Sequence, residues 1–277
     1  MKTVFLSAFC FLTGMAQSQT HRFIYDVEYK KDSTQSLTTK ENYHLDIGSK
    51  DAKYYIRDFF TADSLIVNNI PFPKDLKMNT SNIVVHKLGA NDYEEYDMLE
   101  GTILKLQTKD SQDWKLTNEK KKVKSLNLQK ATAHWGGRNW IAWFTSDIPF
   151  QEGPYKFHGL PGLIVELYDD KNNYKFELVQ SQKVNQEVKN QFIDYSTQKS
   201  ILVNREKYVD AKRKYYDSPV NYLRNASGGA KSSDEYYLND GTLVGQANSR
   251  EVNLRLKENI KKYNNPIELD KAIQYPL

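Results

Sequence analysis

The chain has 277 residues, 39% hydrophobic and 27% charged, enough apolar material for a packed core and unlike a disordered polymer. Its formal net charge is +4, and Lys2 is the only charged residue among the first 20. So slight an excess is too near balance to imply a nucleic-acid partner. Aromatic residues reach 13%, with 19 Tyr and 12 Phe, a composition suited to strands with one wet face.

The first stretch, "MKTVFLSAFCFLTGMAQSQT", has a basic Lys2, an apolar run from Val4 to Leu12, and then small and polar residues. That order predicts a signal peptide over residues 1–18, cleaved after Ala16 or Ser18, and hence a periplasmic or secreted protein. The run is too short to span a bilayer, and no later stretch is apolar enough to do so. Cys10 is the only cysteine. Phe9 stands where a lipoprotein signal wants a small residue, so no lipid anchor is expected. After cleavage the chain has no thiol, which excludes disulfides, thiolate metal sites and cysteine nucleophiles.

From residue 19 onward the first half alternates. "RFIYDVEYK" (22–30) puts Phe23, Tyr25, Val27 and Tyr29 on one face, and "ENYHLDIG" (41–48) does the same with Tyr43, Leu45 and Ile47. Further strands are predicted over 52–60, 82–89, 101–108 and within 113–135, separated by short turns. This is the pattern of an antiparallel meander. "RNWIAWFTSDIPF" (138–150) reads as an apolar strand after a Gly136-Gly137 hairpin turn. "GLIVELY" (162–168) and "YKFELVQSQKV" (174–184) form a hairpin around "DDKNN". Apolar residues at 201, 202, 208, 209, 215 and 216 predict a helix over 196–216, capped by Ser196 or Thr197 and stopped by Ser218-Pro219. "NASGGAKSSDE" (225–235) reads as a mobile loop, and Val252, Leu256, Ile260 and Tyr263 mark a second helix from about Ser249. The fold expected is α+β: a curved antiparallel β-sheet, a half-barrel or bowl, packed with one or two helices of the C-terminal third. Residues 19–277 are read as a single domain.

The chemistry-bearing residues are sparse. His21, His44, His86, His134 and His158 show no metal-ligand spacing and read as isolated, mostly exposed residues, so no metal and no cofactor is expected. No G-x-S-x-G elbow or phosphate loop occurs. Acidic pairs such as Glu94-Glu95 and Asp169-Asp170 are expected in solvated turns. Glu166 is different, since it interrupts the apolar "LIVELY", where one wet sheet face would leave it an exposed strand residue. "HWGGRNWIAWF" gathers Trp135, Arg138 and Trp140 beside His134, residue types favoured in recognition surfaces, although Trp140 also suits a core strand. In "GPYKFHGLPG", Gly153, Pro154, Gly159, Pro161 and Gly162 predict a fold-defining corner, with a type II turn centred on Pro161-Gly162.

"GRNWIAWFTSDIPFQEGPYKFHGLPGLIVELYDD" resembles the signature region of the GLPGLI family of exported Bacteroidetes proteins, and its Gly159-Leu160-Pro161-Gly162-Leu163-Ile164 is literal. "NNPIEL" (264–269) resembles the family's C-terminal ending. Leu128 stands where members often carry a Cys before a Gln-Lys-Ala triplet. The resemblance extends to the bowl-like N-terminal domain of a flavobacterial peptide:N-glycosidase, where such a domain accompanies a catalytic one. It implies a curved half-barrel with a non-catalytic role, and a place beside outer-membrane transport systems.

Three functions follow as expectations. The first is a soluble envelope binding or accessory protein for an apolar, peptide or outer-membrane protein partner, with Trp135, Arg138, Trp140, His134, His158 and Glu166 as candidate ligand contacts. The second is a hydrolase using Glu166 with His158 or His134 as acid and base. The third is a purely structural envelope component. No nucleic-acid partner and no membrane span is expected.

Overall fold

The computed structural model describes residues 19–71, 82–99, 102–184, 188–226, 236–238 and 242–276. Eleven strands follow the chain as two meanders. The first runs β1 (Thr20–Tyr29), β2 (Thr39–Ile47), β3 (Asp51–Ile56), β4 (Asn82–Lys87), β5 (Asp92–Leu99) and β6 (Thr102–Lys109). The second runs β7 (Lys115–Val123), β8 (Leu126–Trp135), β9 (Arg138–Thr145), β10 (Leu163–Asp169) and β11 (Tyr174–Val184). β11 returns to pair antiparallel with β1, so both meanders join in one sheet, and the short β12 (Ile201–Leu202) adds in parallel to β6.

The chain's connectivity forces this sheet to curl. β6 and β7 lie ten steps apart in the strand order, roughly 48 Å in a flat sheet. Yet residues 110–114 join them, a tether of at most about 22 Å. The two ends therefore approach one another, and the Trp135 indole on β8 donates to Asp110, just past β6, at 3.2 Å. The result is the expected open, antiparallel-dominated α+β architecture.

The curl has a filled interior. Between β9 and β10, residues 152–158 are buried or half-buried and cross the inner face. Phe157 is buried with its ring centroid 4.6 Å from Trp140 and 4.9 Å from Trp135. The Tyr93 hydroxyl of β5 lies 2.8 Å from the Lys156 carbonyl oxygen. The Tyr25 hydroxyl of β1 reaches over β11 to the Ile164 carbonyl at 2.6 Å.

The outer face is covered where β1 to β3 meet α1 (Arg57–Val67) and α2 (Gln191–Gln198). Phe59, Ala62 and Ile193 are buried there, and beneath them Arg22 pairs with Asp46 at 2.7 and 2.8 Å while Tyr55 donates to Asp46. With both faces covered, Tyr43 through Ile47 are buried without a break, the polar alternates His44 and Asp46 included.

Several expectations are corrected here. The strand predicted over 52–60 ends at Ile56, because Phe59 and Ala62 serve α1. Glu94 and Glu95 lie on β5, not in a turn, and Asp169 is buried at the end of β10, accepting from the Asn173 and Tyr174 amides. The helix predicted over 196–216 is broken: Ile201 and Leu202 pair with β6, and α3 (Arg205–Asp217) starts anew. Ser196 caps nothing; Asn190 caps α2 through the Ile193 amide, and Asn204 caps α3 through the Lys207 amide. The Ser218-Pro219 stop holds, but Pro219 also opens α4 (Pro219–Ala226). Residues 227–235 of the predicted mobile loop, like the predicted signal peptide, lie outside the described residues. A two-stranded ribbon of β13 (Tyr236–Tyr237) and β14 (Leu243–Val244) precedes α5 (Ser249–Lys262), and Val220, Leu238, Val244 and Val252 form a small separate core.

The Pro161-Gly162 corner exists, but not as a type II turn. The Gly162 amide bonds the Leu160 carbonyl at 2.7 Å, and the Leu163 amide reaches the Ile148 carbonyl instead of closing the turn. Gly162 has φ +149°, and a Cβ there would lie 2.0 Å from the Thr145 carbonyl oxygen on β9. Close backbone approach, more than turn geometry, demands this glycine.

Candidate functional site

A cavity of about 620 Å³ lies on the inner face, within the range of small-ligand sites. Its floor crosses adjacent strands: Tyr174 and Phe176 of β11, Val27 and Tyr29 of β1, Tyr43 of β2, Tyr54 of β3 and Val84 of β4. Strand alternation aims these residues to one side, and the rings lie nearly parallel, Tyr43 with Tyr54 at 4.9 Å and Tyr29 with Tyr174 at 5.7 Å. The roof is the irregular segment 264–275 together with the start of α3.

The roof is pinned by a residue from the aromatic cluster. The Arg138 guanidinium donates to the Asn265 side chain at 2.6 Å and to the carbonyls of Pro266 and Ile267 at 2.7 and 3.0 Å, with Asp169 at 3.3 Å. Asn265 also donates to the Lys30 carbonyl. The Leu269 amide bonds the Gly136 carbonyl. Gly136 and Gly137 both have positive φ, as their two-residue hairpin requires, and Cβ atoms there would press on Glu268 and Asp270. "WGGR" and "NNPIEL" are thus two halves of one joint.

Beside the roof lies a buried charge cluster. Lys156, with no exposed side-chain surface, sits 2.7 Å from Glu95, 2.7 Å from Glu268 and 3.2 Å from Asp110. Burial alone would lower the Lys156 pKa, but the facing Glu95 and Glu268 hold it above the usual lysine value. Burial likewise works against the Glu268 carboxylate, yet Lys156 and Lys271 hold it below the usual range. Tyr155, which lines the cavity, adopts φ +58° and donates to Glu268 at 2.7 Å. A non-glycine residue in that conformation is held there by its surroundings.

A second buried cluster holds the same segment to β4 and β5. His86 meets Glu152 at 3.0 Å and the Ala90 carbonyl at 2.7 Å, contacts that favour the imidazolium. Burial opposes that charge, but Glu152 outweighs it and raises the His86 pKa. His158, 4.7 Å away ring to ring, contacts Tyr93 at 2.6 Å and Asn91 at 3.1 Å, and burial with the His86 charge lowers its pKa. Three of the five histidines, His44, His86 and His158, are therefore buried rather than exposed. Among the described residues no group of His, Cys, Asp and Glu is arranged to hold a metal.

None of the six residues nominated from sequence lines the 620 Å³ cavity. Trp135, Arg138 and Trp140 come together, with the Trp140 indole donating to the Trp135 carbonyl at 3.0 Å, but they support the roof and core. His134 is exposed at the hairpin, bonded to Asn139. Glu166 lies on the outer face, 2.5 Å from Lys121, whose ammonium sits over Trp143. Among the described residues, no hydrogen bond links Glu166 to His158 or His134. Sequence reasoning missed Tyr54, Glu95, Lys156 and Glu268. The one local signal was a lysine embedded in "GPYKFHGLPG".

Fold and site together define an open, curved antiparallel half-barrel with a capped inner-face cavity. A family model described as a protein of unknown function (Porph_ging) matches residues 95–166, from β5 into β10 and including the buried crossing segment. No curated protein matches. The structure of PNGF-II in P21 space group is similar in fold, with TM-score 0.51 and 15% identity over 70% of this chain and 33% of that one. The structure of PNGF-II in C2 space group gives TM-score 0.48 and 13% identity over 81% of this chain and 39% of that one. The chain thus spans 33–39% of the length of these two structures. Among the described residues no helix is long and apolar enough to cross a membrane.

Proposed function

We propose that this chain is an exported, non-catalytic binding or accessory protein of the cell envelope, a single domain of GLPGLI type whose inner-face cavity holds a small apolar or peptide-like ligand. The observation that carries the reading is the cavity itself. An aromatic floor lies under a separately pinned roof, while the charged groups that could do chemistry are mostly committed to one another. Of the six nominated residues, Arg138 and Trp135 serve the site indirectly, through the roof and its neighbouring loop. An outer-membrane transport partner is the accessory role consistent with the motif resemblance.

The reading is tested by comparing protein purified from its native envelope with the same protein refolded from urea and dialysed free of small molecules. A ligand bound only to the folded state raises the melting temperature. The refolded sample is expected to melt lower, and an organic extract of the native sample is expected to restore it. Equal melting temperatures and no effect of the extract would contradict the proposal.

A further inference from the structure

Among the described residues, five charged ones line the cavity: Glu95, Glu268, Arg205, Lys212 and Lys271. Four of them are already paired. Glu95 and Glu268 each lie 2.7 Å from Lys156, Lys212 lies 2.5 Å from Asp97, and Lys271 pairs with Glu268. Arg205 is different. Among the described residues it has no carboxylate partner; it donates to the Lys271 carbonyl and lies over the Tyr208 ring at 5.2 Å. It is also the first residue of α3, whose N-terminus faces the same rim through Val203 and Asn204. Asn204 satisfies only the Lys207 amide there, so the positive end of the helix dipole adds to the Arg205 charge.

A second, independent feature lies on the floor. Tyr54 is 4% exposed and lines the cavity. Among the described residues its hydroxyl has no hydrogen-bond partner, whereas the Tyr155, Tyr174 and Tyr208 hydroxyls are each bonded to this chain's own Glu268, Asn265 or Asp97. The hydroxyl therefore faces the cavity free to bond a ligand, not another group of this chain. Burial pushes its phenol well above the usual value, so it stays neutral and able both to donate and to accept.

We infer that the cavity is built for a small aromatic anion: a ring system laid on the tyrosine floor, one hydrogen-bonding group at Tyr54, and a single carboxylate- or sulfonate-like charge at Arg205. This rests on the binding reading above and specifies its ligand class. The floor favours rings over a flexible chain, because Tyr29, Tyr43, Tyr54, Tyr174 and Phe176 line it together. Arg205, exposed at the rim, offers an anionic group a charge partner that a neutral or cationic ligand would not use.

Two fluorescent probes separate the parts of this inference. 8-Anilinonaphthalene-1-sulfonate carries the rings, an N–H and an anion; N-phenyl-1-naphthylamine carries the rings and the N–H alone. Titrated into the full chain, the sulfonate is expected to bind one site about ten-fold more tightly than its neutral analogue. Arg205→Gln should erase that preference, and Tyr54→Phe should weaken both probes by about five-fold without changing their ratio. Filling the cavity from the floor with Val84→Trp, or from the roof with Ile273→Trp, should abolish both, in variants whose circular dichroism matches the wild type. Equal affinity of the two probes, lost on filling, would overturn the anion assignment while leaving a binding cavity in place. Binding indifferent to both filling variants would overturn the cavity reading itself.

Discussion

Replacing Gly162 by alanine puts a Cβ 2.0 Å from the Thr145 carbonyl oxygen and 2.5 Å from its carbon. The obstacle is backbone of β9, in register with Leu163 of β10, so no rotamer change relieves it. One of the two strands must move, and with it the inner-face segment they anchor. Overpacking of this kind costs about 1–3 kcal/mol, and the positive φ of +149° adds about 1–2 kcal/mol for a side chain. Gly159→Ala is the matched control in the same motif. Its φ is +88°, but nothing lies within 4 Å of the added methyl, so only the conformational cost of about 1 kcal/mol applies. At about 2–4 °C per kcal/mol for a chain of this size, Gly162→Ala should lower the melting temperature by roughly 5–20 °C, and Gly159→Ala by only about 2–4 °C. Thermal denaturation followed by circular dichroism reads both. Equal shifts would refute the claim that close approach, not backbone conformation, requires Gly162.

Other consequences follow from the buried charges. Arg138→Ala removes the pin of the roof and leaves Asp169 buried beside it; a loss of about 3–5 kcal/mol is expected, with faster amide exchange over 264–271 by hydrogen-exchange mass spectrometry. Protection unchanged there would show that the roof stands without Arg138. Lys156→Met leaves Glu95, Asp110 and Glu268 facing one another, again at a cost of about 3–5 kcal/mol near neutral pH. The pH dependence should then reverse. In the wild type the Glu268 pKa is depressed, so its contribution is present above the unfolded carboxylate value and lost as pH falls through the folded value. In the variant, protonation relieves repulsion, and urea denaturation should show a stability that rises on mild acidification.

Much of the architecture was legible because half-wet strands advertise themselves. Phe23, Tyr25, Val27 and Tyr29 alternate because β1 has an inner face to fill, and Trp135-Gly136-Gly137-Arg138 specifies a two-residue hairpin by chemistry alone. Legibility failed where a second layer intervenes. Residues 57–60 read as strand because Phe59 and Phe60 prolong an apolar run, but the run serves a helix on the outer face. β5 was hidden because Glu94 and Glu95 look like turn residues until Lys156 arrives from 61 positions downstream of Glu95. The site failed for the same reason. Arg138 finds its partners 127–129 residues away, and Lys156 gathers carboxylates from β5, the β6–β7 link and the C-terminal segment. No local pattern records such pairings. The glycine-rich stretch looked like a ligand loop, and its folded role is to carry Phe157, Lys156 and His158 across the interior.

A binding role requires that the inner-face cavity be occupied in the cell. Native mass spectrometry of the full chain purified from its own envelope, beside Val84→Trp prepared identically, tests it most directly. The wild type is expected as a species heavier than the polypeptide by one small molecule, released on activation and absent from the variant. A wild type at the bare polypeptide mass, or an adduct retained equally by the filled variant, would contradict it.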